Sequence, residues 1–130
     1  MGFFDSYGWR YERRDPGVFR TGFRGDTGPY DIWLKLTEAW VYFAINPYVP
    51  RPDEGHGPAT LLALLKANHD LNLAKFALDE DGDLVLCVEL PAEDFHYSHF
   101  VDALTALAHY ADDYRPRIEE ALATDRAEVV

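Results

Sequence analysis

The sequence predicts an α+β fold, with an antiparallel sheet of about five strands and two helices in the order β-β-β-α-β-β-α. Three observations support this class. Apolar and polar residues alternate in several short segments, which is the pattern of half-buried strands. Glycine and proline signals join neighbouring strands through short connections. Strands and helices come in blocks rather than in strict alternation, which is typical of an antiparallel sheet.

The first half of the chain supplies three of the predicted strands. Residues 9–23 indicate a first strand that the turn signal D-P-G interrupts, and G-D-T-G-P at 25–29 marks a second break. Residues 30–36 (Y-D-I-W-L-K-L) alternate with a period of two, and residues 40–45 (W-V-Y-F-A-I) complete a hairpin with them. The segment 46–58 contains four prolines and is predicted to be a loop, because proline cannot pair inside a sheet.

A helix and two further strands follow. The helix begins at Pro58, which suits a first helical turn, and is expected to end near Asn68. Residues 71–78 alternate again, and Asp81–Gly82 is the signal of a hairpin turn. Residues 84–90 (L-V-L-C-V-E-L) are apolar on both faces, which predicts a central strand.

The last element is predicted to be a second helix. Asp94 is a plausible N-cap for it. Pro116 lies inside the helical pattern, where proline costs about 3 kcal/mol, so we expect a kink or a restart there. The apolar residues that recur at helical spacing are Val101, Leu104, Leu107, Ala108 and Ala111, with Ile118 and Leu122 continuing the stripe.

Length and composition predict one domain over residues 1–130. Hydrophobic residues make up 48% and charged residues 27% of the chain, which is ordinary for a globular protein. The N-terminal residues show no signal-peptide pattern, and no apolar run reaches the roughly 18 residues of a membrane span. We therefore expect a cytoplasmic protein without membrane attachment.

The charge is strongly acidic and unevenly distributed. Residues 1–36 carry six Lys/Arg and five Asp/Glu, whereas residues 37–130 carry six Lys/Arg and eighteen Asp/Glu. The net charge of the whole chain is −11. Such a surface repels phosphate backbones, so direct nucleic-acid binding is the weaker alternative. A basic protein would be attracted to it. The charge is equally compatible with a role in solubility alone.

The acidic segment L-D-E-D-G-D-L is the first candidate for chemistry. An EF-hand calcium loop needs acidic or amide ligands at positions 1, 3 and 5, glycine at 6 and glutamate at 12. With Gly82 at position 6, Asp79 and Asp81 occupy positions 3 and 5, but Ala77 and Val88 fall at positions 1 and 12. Two required ligands are missing, so the segment is predicted to be a hairpin turn rather than a calcium site.

Other signals for catalysis or metal binding are weak. His96 and His99 are three residues apart and share a helical face, with Glu93 one turn earlier, but zinc needs three or four ligands. Cys87, the single cysteine, lies in an apolar run and is predicted to be buried. The chain contains no G-x-S-x-G, P-loop or G-x-G-x-x-G motif. We expect no catalytic residue, no cofactor and no metal site, and a small-ligand or metal-responsive regulatory module stays as the alternative function.

Aromatic residues and arginines are concentrated near the N-terminus. Nine of the nineteen aromatic residues lie in the first 36 positions, interleaved with arginines. Both residue types are enriched at protein interfaces, and they also stack on single-stranded nucleic acid. A third interpretation is that the aromatic residues only cover the sheet. The predicted partner-binding residues are Arg10, Phe19, Arg20, Phe23, Arg24, Tyr30 and Trp33.

Three segments resemble a known family. The strand region of the bacterial YbjN family is similar to the segment R-T-G-F-R-G-D-T-G-P-Y-D-I-W-L-K-L-T-E-A-W-V-Y-F-A. L-L-A-L-L-K-A-N-H-D-L-N-L-A-K-F-A-L-D-E-D-G-D-L-V-L is similar to the helix, asparagine and hairpin of that family, and A-D-D-Y-R-P-R-I completes the resemblance. It covers about residues 10–122.

The resemblance implies a fold like that of type III secretion chaperones, with a helix, three strands, a helix, two strands and a helix, usually in a dimer. The first helix is expected to be short or absent here, because residues 1–8 offer barely two turns. The resemblance also implies protein binding without catalysis. We therefore expect a homodimeric chaperone-like adaptor whose client is basic, and a basic client that itself binds nucleic acid would fit this charge.

Overall fold

In the described part of the chain, six antiparallel strands form one sheet, and two long helices pack on one of its faces. The computed structural model describes residues 2–3 and 9–129. The strands lie in the order β1-β2-β3-β4-β6-β5, which confirms the predicted α+β class. The elements are β1 (Glu12–Asp15), β2 (Val18–Gly25), β3 (Gly28–Leu36), β4 (Trp40–Val49), α1 (Pro58–Asp70), β5 (Lys75–Leu78), β6 (Leu84–Pro91) and α2 (Tyr97–Val129).

The predicted first strand is in fact two strands. β1 and β2 form a hairpin around Pro16 and Gly17, and Gly17 has a φ of 75°, a conformation that favours glycine. The D-P-G signal therefore marks a complete chain reversal, and the sheet has six strands instead of about five. β1 pairs only with β2, so it is an edge strand, and all four of its residues are exposed.

Strand β4 continues into the segment that we predicted to be a loop. It runs to Val49 rather than ending at Ile45. Ile45 pairs with Leu86 and Val49 with Leu84, so the register shifts between the two pairs. Pro47 lies at this irregularity and is exposed, where the ladder needs no N–H from it. The sheet thus accommodates proline through a bulge, which the sequence pattern did not reveal.

Strand β5 is shorter than the predicted strand over 71–78. Only Lys75–Leu78 pairs with β6, because Leu73 has a φ of 68° and leaves the extended conformation. The Nδ2 of Asn68 in α1 donates to the Phe76 carbonyl (2.9 Å), and its Oδ1 accepts from the Phe76 N–H (2.7 Å). Asn68 therefore satisfies the outer edge of β5 as a neighbouring strand would.

Helix α2 begins later than predicted and is not interrupted. Its first residue is Tyr97, whereas Asp94 lies in the preceding turn with a φ of 57° and does not serve as the N-cap. The helix continues through Pro116 without a restart. Arg115, which precedes the proline, donates from Nη1 to the Tyr48 carbonyl (2.9 Å) and ties this part of α2 to the sheet.

The core lies between α2 and one face of the sheet, which we call the inner face. No helix among the described residues packs on the opposite, outer face. Its most buried residues form a small separate cluster of Ala44, Val85 and Cys87, against which Tyr42 packs. The fully buried large side chains between the sheet and α2 are Ile32, Leu34, Phe43, Ile45, Leu84, Leu86, Val88, Phe100, Leu104, Leu107 and Ile118.

Near the N-terminus, Phe3 joins an aromatic cluster at the start of α2. Its ring centroid lies 5.9, 5.5 and 5.6 Å from those of Phe95, Tyr97 and Phe100. Residues 2–3 are helical. The rest of the predicted short or absent first helix falls on residues 4–8, which are outside the described residues.

The N-terminus of α1 is held by a carboxylate from α2. Asp125 accepts hydrogen bonds from the Ala59 N–H (2.9 Å), the Thr60 N–H (3.0 Å) and the Thr60 hydroxyl (2.5 Å). The helix supplies no side-chain cap of its own at Gly57. A Cβ on Gly57 would lie 2.5 Å from the Asp125 carboxyl carbon, so glycine permits this close approach. Asp125 thus caps α1 from outside the helix.

A second carboxylate of α2 holds the turn between β2 and β3. Asp112 accepts from the backbone N–H groups of Asp26 (3.0 Å) and Thr27 (2.9 Å) and from the Thr27 hydroxyl (2.5 Å). A Cβ on Gly25 would overlap the Asp112 carboxylate. These hydrogen bonds from Thr27 and Asp26 outweigh burial and lower the pKa of Asp112. The G-D-T-G segment is therefore both a turn and the place where α2 is fixed to the strands.

Candidate partner-binding surfaces

Two of the predicted partner-binding residues, Arg20 and Trp33, meet on the outer face of the sheet. They pair directly across β2 and β3. The guanidinium carbons of Arg14 and Arg20 lie 5.8 and 5.7 Å from the centre of the Trp33 ring, within cation–π range. Arg20 Nη2 also forms an ion pair with Asp31 at 2.8 Å, and this hydrogen bond raises the pKa of Arg20. We call these four side chains the Trp33 patch.

Arg10 and Arg24 lie near this patch and are exposed. Arg24 shares the parity of Arg20 on β2, four residues or about 13 Å further along the strand. The Arg10 carbonyl accepts a hydrogen bond from the Thr21 hydroxyl (2.6 Å), which fixes the chain before β1. An open cleft of about 470 Å³ is lined by Arg10, Tyr11, Glu12, Arg20, Thr21, Gly22 and Asp31.

The other three predicted residues, all aromatic, lie on the inner face. Phe19 and Tyr30 are 8% and 7% exposed, so they belong to the core rather than to a surface. Phe23 is half-buried and stacks on Tyr30 with a centroid distance of 5.3 Å. Tyr30 in turn stacks on Tyr48 at 5.7 Å. The alternation along β2 and β3 therefore separates the predicted set into an arginine/tryptophan patch and a core cluster.

Helix α1 presents an apolar face that the sequence reasoning did not select. Leu61, Leu62 and Leu65 are 40%, 53% and 70% exposed. Thr60, Leu64 and Ala67 form the buried side of the same helix. The signal was present in A-T-L-L-A-L-L, because four leucines in five positions exceed what a single buried stripe can hold. We call the three exposed residues the leucine face.

A cavity of about 640 Å³ lies between the proline-rich loop and the last turns of α2. Residues that line it include Val49, three prolines and Leu122, with Glu54 and Arg126 exposed. His56 also lines the cavity, and its Nε2 lies 3.0 Å from the Gly82 carbonyl. The His56 Nδ1 is buried and has no hydrogen-bond partner among the described residues. No local pattern in the sequence indicates that these segments meet, because they are far apart in the chain.

The acidic segment forms the predicted hairpin turn. Leu78 pairs with Leu84, and Gly82 has a φ of 84°. Carboxylate oxygens of Asp79, Asp81 and Asp83 lie within 4.8 Å of one another. The Asp79 Oδ1 accepts from the N–H groups of Asp81 (3.0 Å) and Asp83 (2.9 Å), so this carboxylate organises the turn.

The surroundings of His96, His99 and Cys87 indicate structural roles for these side chains. The His96 backbone N–H donates to His99 Nδ1 (3.1 Å), so that nitrogen is already used. Within the described residues, neither histidine belongs to a group of three potential metal ligands. Cys87 is 2% exposed on β6, and burial raises the pKa of its thiol. These residues therefore supply no ready metal centre or thiolate in the described part of the chain.

Comparison with known proteins identifies the family. The model of YbjN, described as "Putative bacterial sensory transduction regulator", matches residues 1–120. This chain belongs to the YbjN family. A search of curated protein sequences gives no match. None of the helices in the described residues has the length and apolar character needed to cross a lipid bilayer.

Solved structures with the same fold come from type III secretion. A chain of the heterodimeric ExoU–SpcU complex of Pseudomonas aeruginosa is similar, with 21% identity, a TM-score of 0.60, and coverage of 93% of this chain and 95% of that one. A structure of the Yersinia pestis chaperone SycH with a fragment of YscM2 matches at 19% identity and a TM-score of 0.58, covering 86% and 92%. A chain of the ExsC–ExsE complex matches at 16% identity and a TM-score of 0.60, covering 88% of this chain and 86% of that one. This YbjN chain therefore has the type III secretion chaperone fold.

Proposed function

We propose that this YbjN protein is a cytoplasmic, non-enzymatic adaptor that binds and stabilises another protein, and that it acts as a homodimer. The observation that carries the proposal is the fold, since similar chains are found in structures of chaperone complexes such as SycH with a fragment of YscM2. Two surfaces of the described residues, the partly exposed Trp33 patch and the leucine face, provide places for client contact and for self-association.

The Trp33 patch supports client binding. Tryptophan and arginine are the residue types that most often dominate binding energy at interfaces. Arg20 pairs with Asp31 at 2.8 Å and Arg14 with Glu12 at 3.5 Å, so each arginine of the patch has a carboxylate partner, which reduces its repulsion of a basic client. The net charge of −11 would attract such a client from a distance. We therefore propose a basic protein client, which contacts Trp33 directly.

The leucine face supports self-association. Strongly acidic chains repel one another, and contact between two copies is least opposed where the local charge is small. Helix α1 carries only Lys66 and Asp70 as charged residues, apart from His69, so its formal charge is zero. Burying Leu62 and Leu65 against a second copy would remove apolar surface from water. Strand β6, which is apolar on both faces, is already covered inside one chain, with Val85 2% exposed.

One experiment tests client binding. The purified protein, immobilised at low salt, is used to capture proteins from native extract of its source bacterium, and bound proteins are identified by mass spectrometry. We expect a basic protein that is retained by wild type and by Trp40→Ala, and lost with Trp33→Ala. Trp40 is the control, since it is 49% exposed and pairs with Pro91 of β6 rather than with a residue of β2 or β3. Equal retention by both variants would contradict the proposed patch.

A second experiment tests the dimer. Light scattering at micromolar concentration should give twice the 14.9 kDa chain mass for wild type and one chain mass for Leu62→Lys with Leu65→Lys. Leu73→Lys is the control, because Leu73 is 47% exposed but lies outside α1. A wild-type monomer, or a dimer that survives the double substitution, would refute self-association through α1.

A further inference from the structure

The cations on the outer face of the sheet divide into paired and unpaired groups. Arg24 of β2 and Lys35 of β3 are exposed, and neither forms an ion pair with a described residue. The outer face therefore presents two unpaired positive charges, although the net charge of the whole chain is −11. The ion pairs on the same face are Arg14–Glu12 (3.5 Å), Arg20–Asp31 (2.8 Å) and Lys75–Glu89 (3.0 Å).

The two unpaired cations flank Trp33 along the strands. Arg24 pairs with Pro29, and Lys35 lies six residues further along β3, so the two positions are about 20 Å apart. Trp33 is between them, two residues before Lys35 and on the same face. Tyr42 pairs with Lys35 and, like Trp33, is half-buried. The outer face thus combines an aromatic centre with one unpaired cation on each side.

We propose that this face binds a short, extended, acidic segment of the client, which places an apolar side chain on Trp33 and carboxylates near Arg24 and Lys35. An extended segment spans the roughly 20 Å between the two cations in six residues. The inference rests on the proposed client binding and specifies which part of the client makes the contact. The net charge of −11 attracts a client that is basic as a whole, whereas the local charge of the outer face selects the segment that docks.

Single-stranded nucleic acid also combines negative charge with flat apolar groups. Its affinity for proteins comes largely from many phosphates that are neutralised by cations. The described residues of the outer face offer two unpaired cations, and the rest of the acidic chain repels a long polyanion. A peptide with a few carboxylates is confined to the face itself. These charges therefore favour an acidic peptide segment over a nucleic-acid strand.

The test compares peptides that differ only in charge. Acetyl-Glu-Ser-Gly-Phe-Gly-Ser-Glu amide and its Gln counterpart, in which glutamine replaces both glutamates, are titrated into the wild-type protein and followed by backbone amide NMR shifts. We expect shifts in β2 and β3 and about 2- to 30-fold tighter binding of the acidic peptide at low salt, the fold-change of two exposed ion pairs. The preference should disappear at about 1 M salt. Equal affinities at low salt, or shifts confined to the helices, would overturn the proposal.

Substitutions then assign the preference to the two cations. Arg24→Gln with Lys35→Gln should bring the two peptides to equal affinity. Arg117→Gln with Arg126→Gln is the matched control, because it changes the net charge equally at exposed positions of α2 and should preserve the preference. Trp33→Ala should weaken both peptides by the same factor. Unfolding curves confirm that the variants fold. Equal loss of the preference in the α2 control would overturn the assignment to the outer face.

The remaining outcomes separate this inference from the proposed function. Trp33-dependent capture of a client, together with equal affinity for the two peptides, would overturn the acidic segment and leave the proposed function intact. Capture that does not depend on Trp33 would overturn both. An oligothymidylate of about 15 nucleotides is titrated in parallel. If it binds more tightly than the acidic peptide and is lost with Arg24→Gln and Lys35→Gln, the face binds nucleic acid and the proposal is wrong.

Discussion

Asp125 is the residue whose replacement gives the clearest test of how this fold is held together. It is 9% exposed, and its oxygens accept hydrogen bonds from two N–H groups in the first turn of α1 and from the Thr60 hydroxyl. Those N–H groups have no partner within the helix. The negative charge also lies at the positive end of the helix dipole. Asp125→Asn removes the charge and one acceptor with almost no change in volume.

The expected loss of folding stability follows from these contacts. Hydrogen bonds to a charged group stabilise by about 1.5–3 kcal/mol, and neutral ones by about 1 kcal/mol. In Asp125→Asn one bond is lost and the others become neutral, so we expect about 2–4 kcal/mol of destabilisation. Asp125→Ala also leaves the Thr60 hydroxyl, which is 0% exposed, without its acceptor. We expect about 3–5 kcal/mol for that variant.

Urea unfolding at pH 7, followed by tryptophan fluorescence and circular dichroism, measures these values. Asp113→Asn is the matched control, because Asp113 is exposed on the same helix and should change stability by less than about 0.5 kcal/mol. If Asp125→Asn unfolds at the same urea concentration as Asp113→Asn, the cap across the two helices does not stabilise the protein and the reasoning fails.

The pH dependence gives an independent check of the charge. Burial opposes ionisation of Asp125, but hydrogen bonds from Thr60, Ala59 and Gly57 outweigh it, so its pKa in the folded state is lowered. In the unfolded chain the pKa of an aspartate side chain is about 3.9. The stabilisation by Asp125 is therefore present above that pH and is lost as the pH falls through the folded-state pKa. The stability difference between wild type and Asp125→Asn should therefore shrink on acidification. A difference that stays constant with pH would contradict the electrostatic explanation.

Two further predictions concern the other places where side chains hold backbone groups. Asn68→Ala leaves the N–H and carbonyl of Phe76 without partners at the edge of the sheet. We therefore expect about 1–3 kcal/mol of destabilisation, measured by urea unfolding, and concentration-dependent aggregation, measured by light scattering. Asn72→Ala, at an exposed loop position, is the control. Gly25→Ala places a methyl group on the Asp112 carboxylate, and we expect at least about 1 kcal/mol of destabilisation that largely disappears in an Asp112→Ala background, which a double-mutant cycle measures. Full additivity of the two changes would refute this close approach.

The sequence predicted the fold class because the alternation and the turn signals are local. Residues 30–36 and 40–45 form the paired strands β3 and β4, and Pro58 begins α1 as expected. The errors came where distant contacts override local preference. Pro47 lies in a strand because a bulge accommodates it, and Pro116 lies in a helix because α2 is packed along the sheet.

The candidate surfaces were harder to predict than the elements. Composition identified Arg20 and Trp33, but it could not separate them from Phe19 and Tyr30 until the strand faces were known. The period of two in β3 already contained that separation, since Tyr30 and Trp33 have opposite parity. The cavity at His56 had no local signal, because its walls come from segments about 70 residues apart that only the packing of α2 brings together.

Helix α2 determines how the two proposed binding surfaces are placed relative to each other. Asp112 fixes the β2–β3 turn of the hairpin that carries the Trp33 patch, and Asp125 fixes the start of α1, which carries the leucine face. The two carboxylates are thirteen residues apart, or about 20 Å along a continuous helix. If α1 joins two copies as proposed, each client surface is held at a fixed distance from the dimer axis through these carboxylates. Loss of either carboxylate should then weaken client binding by the dimer without removing any residue that contacts the client.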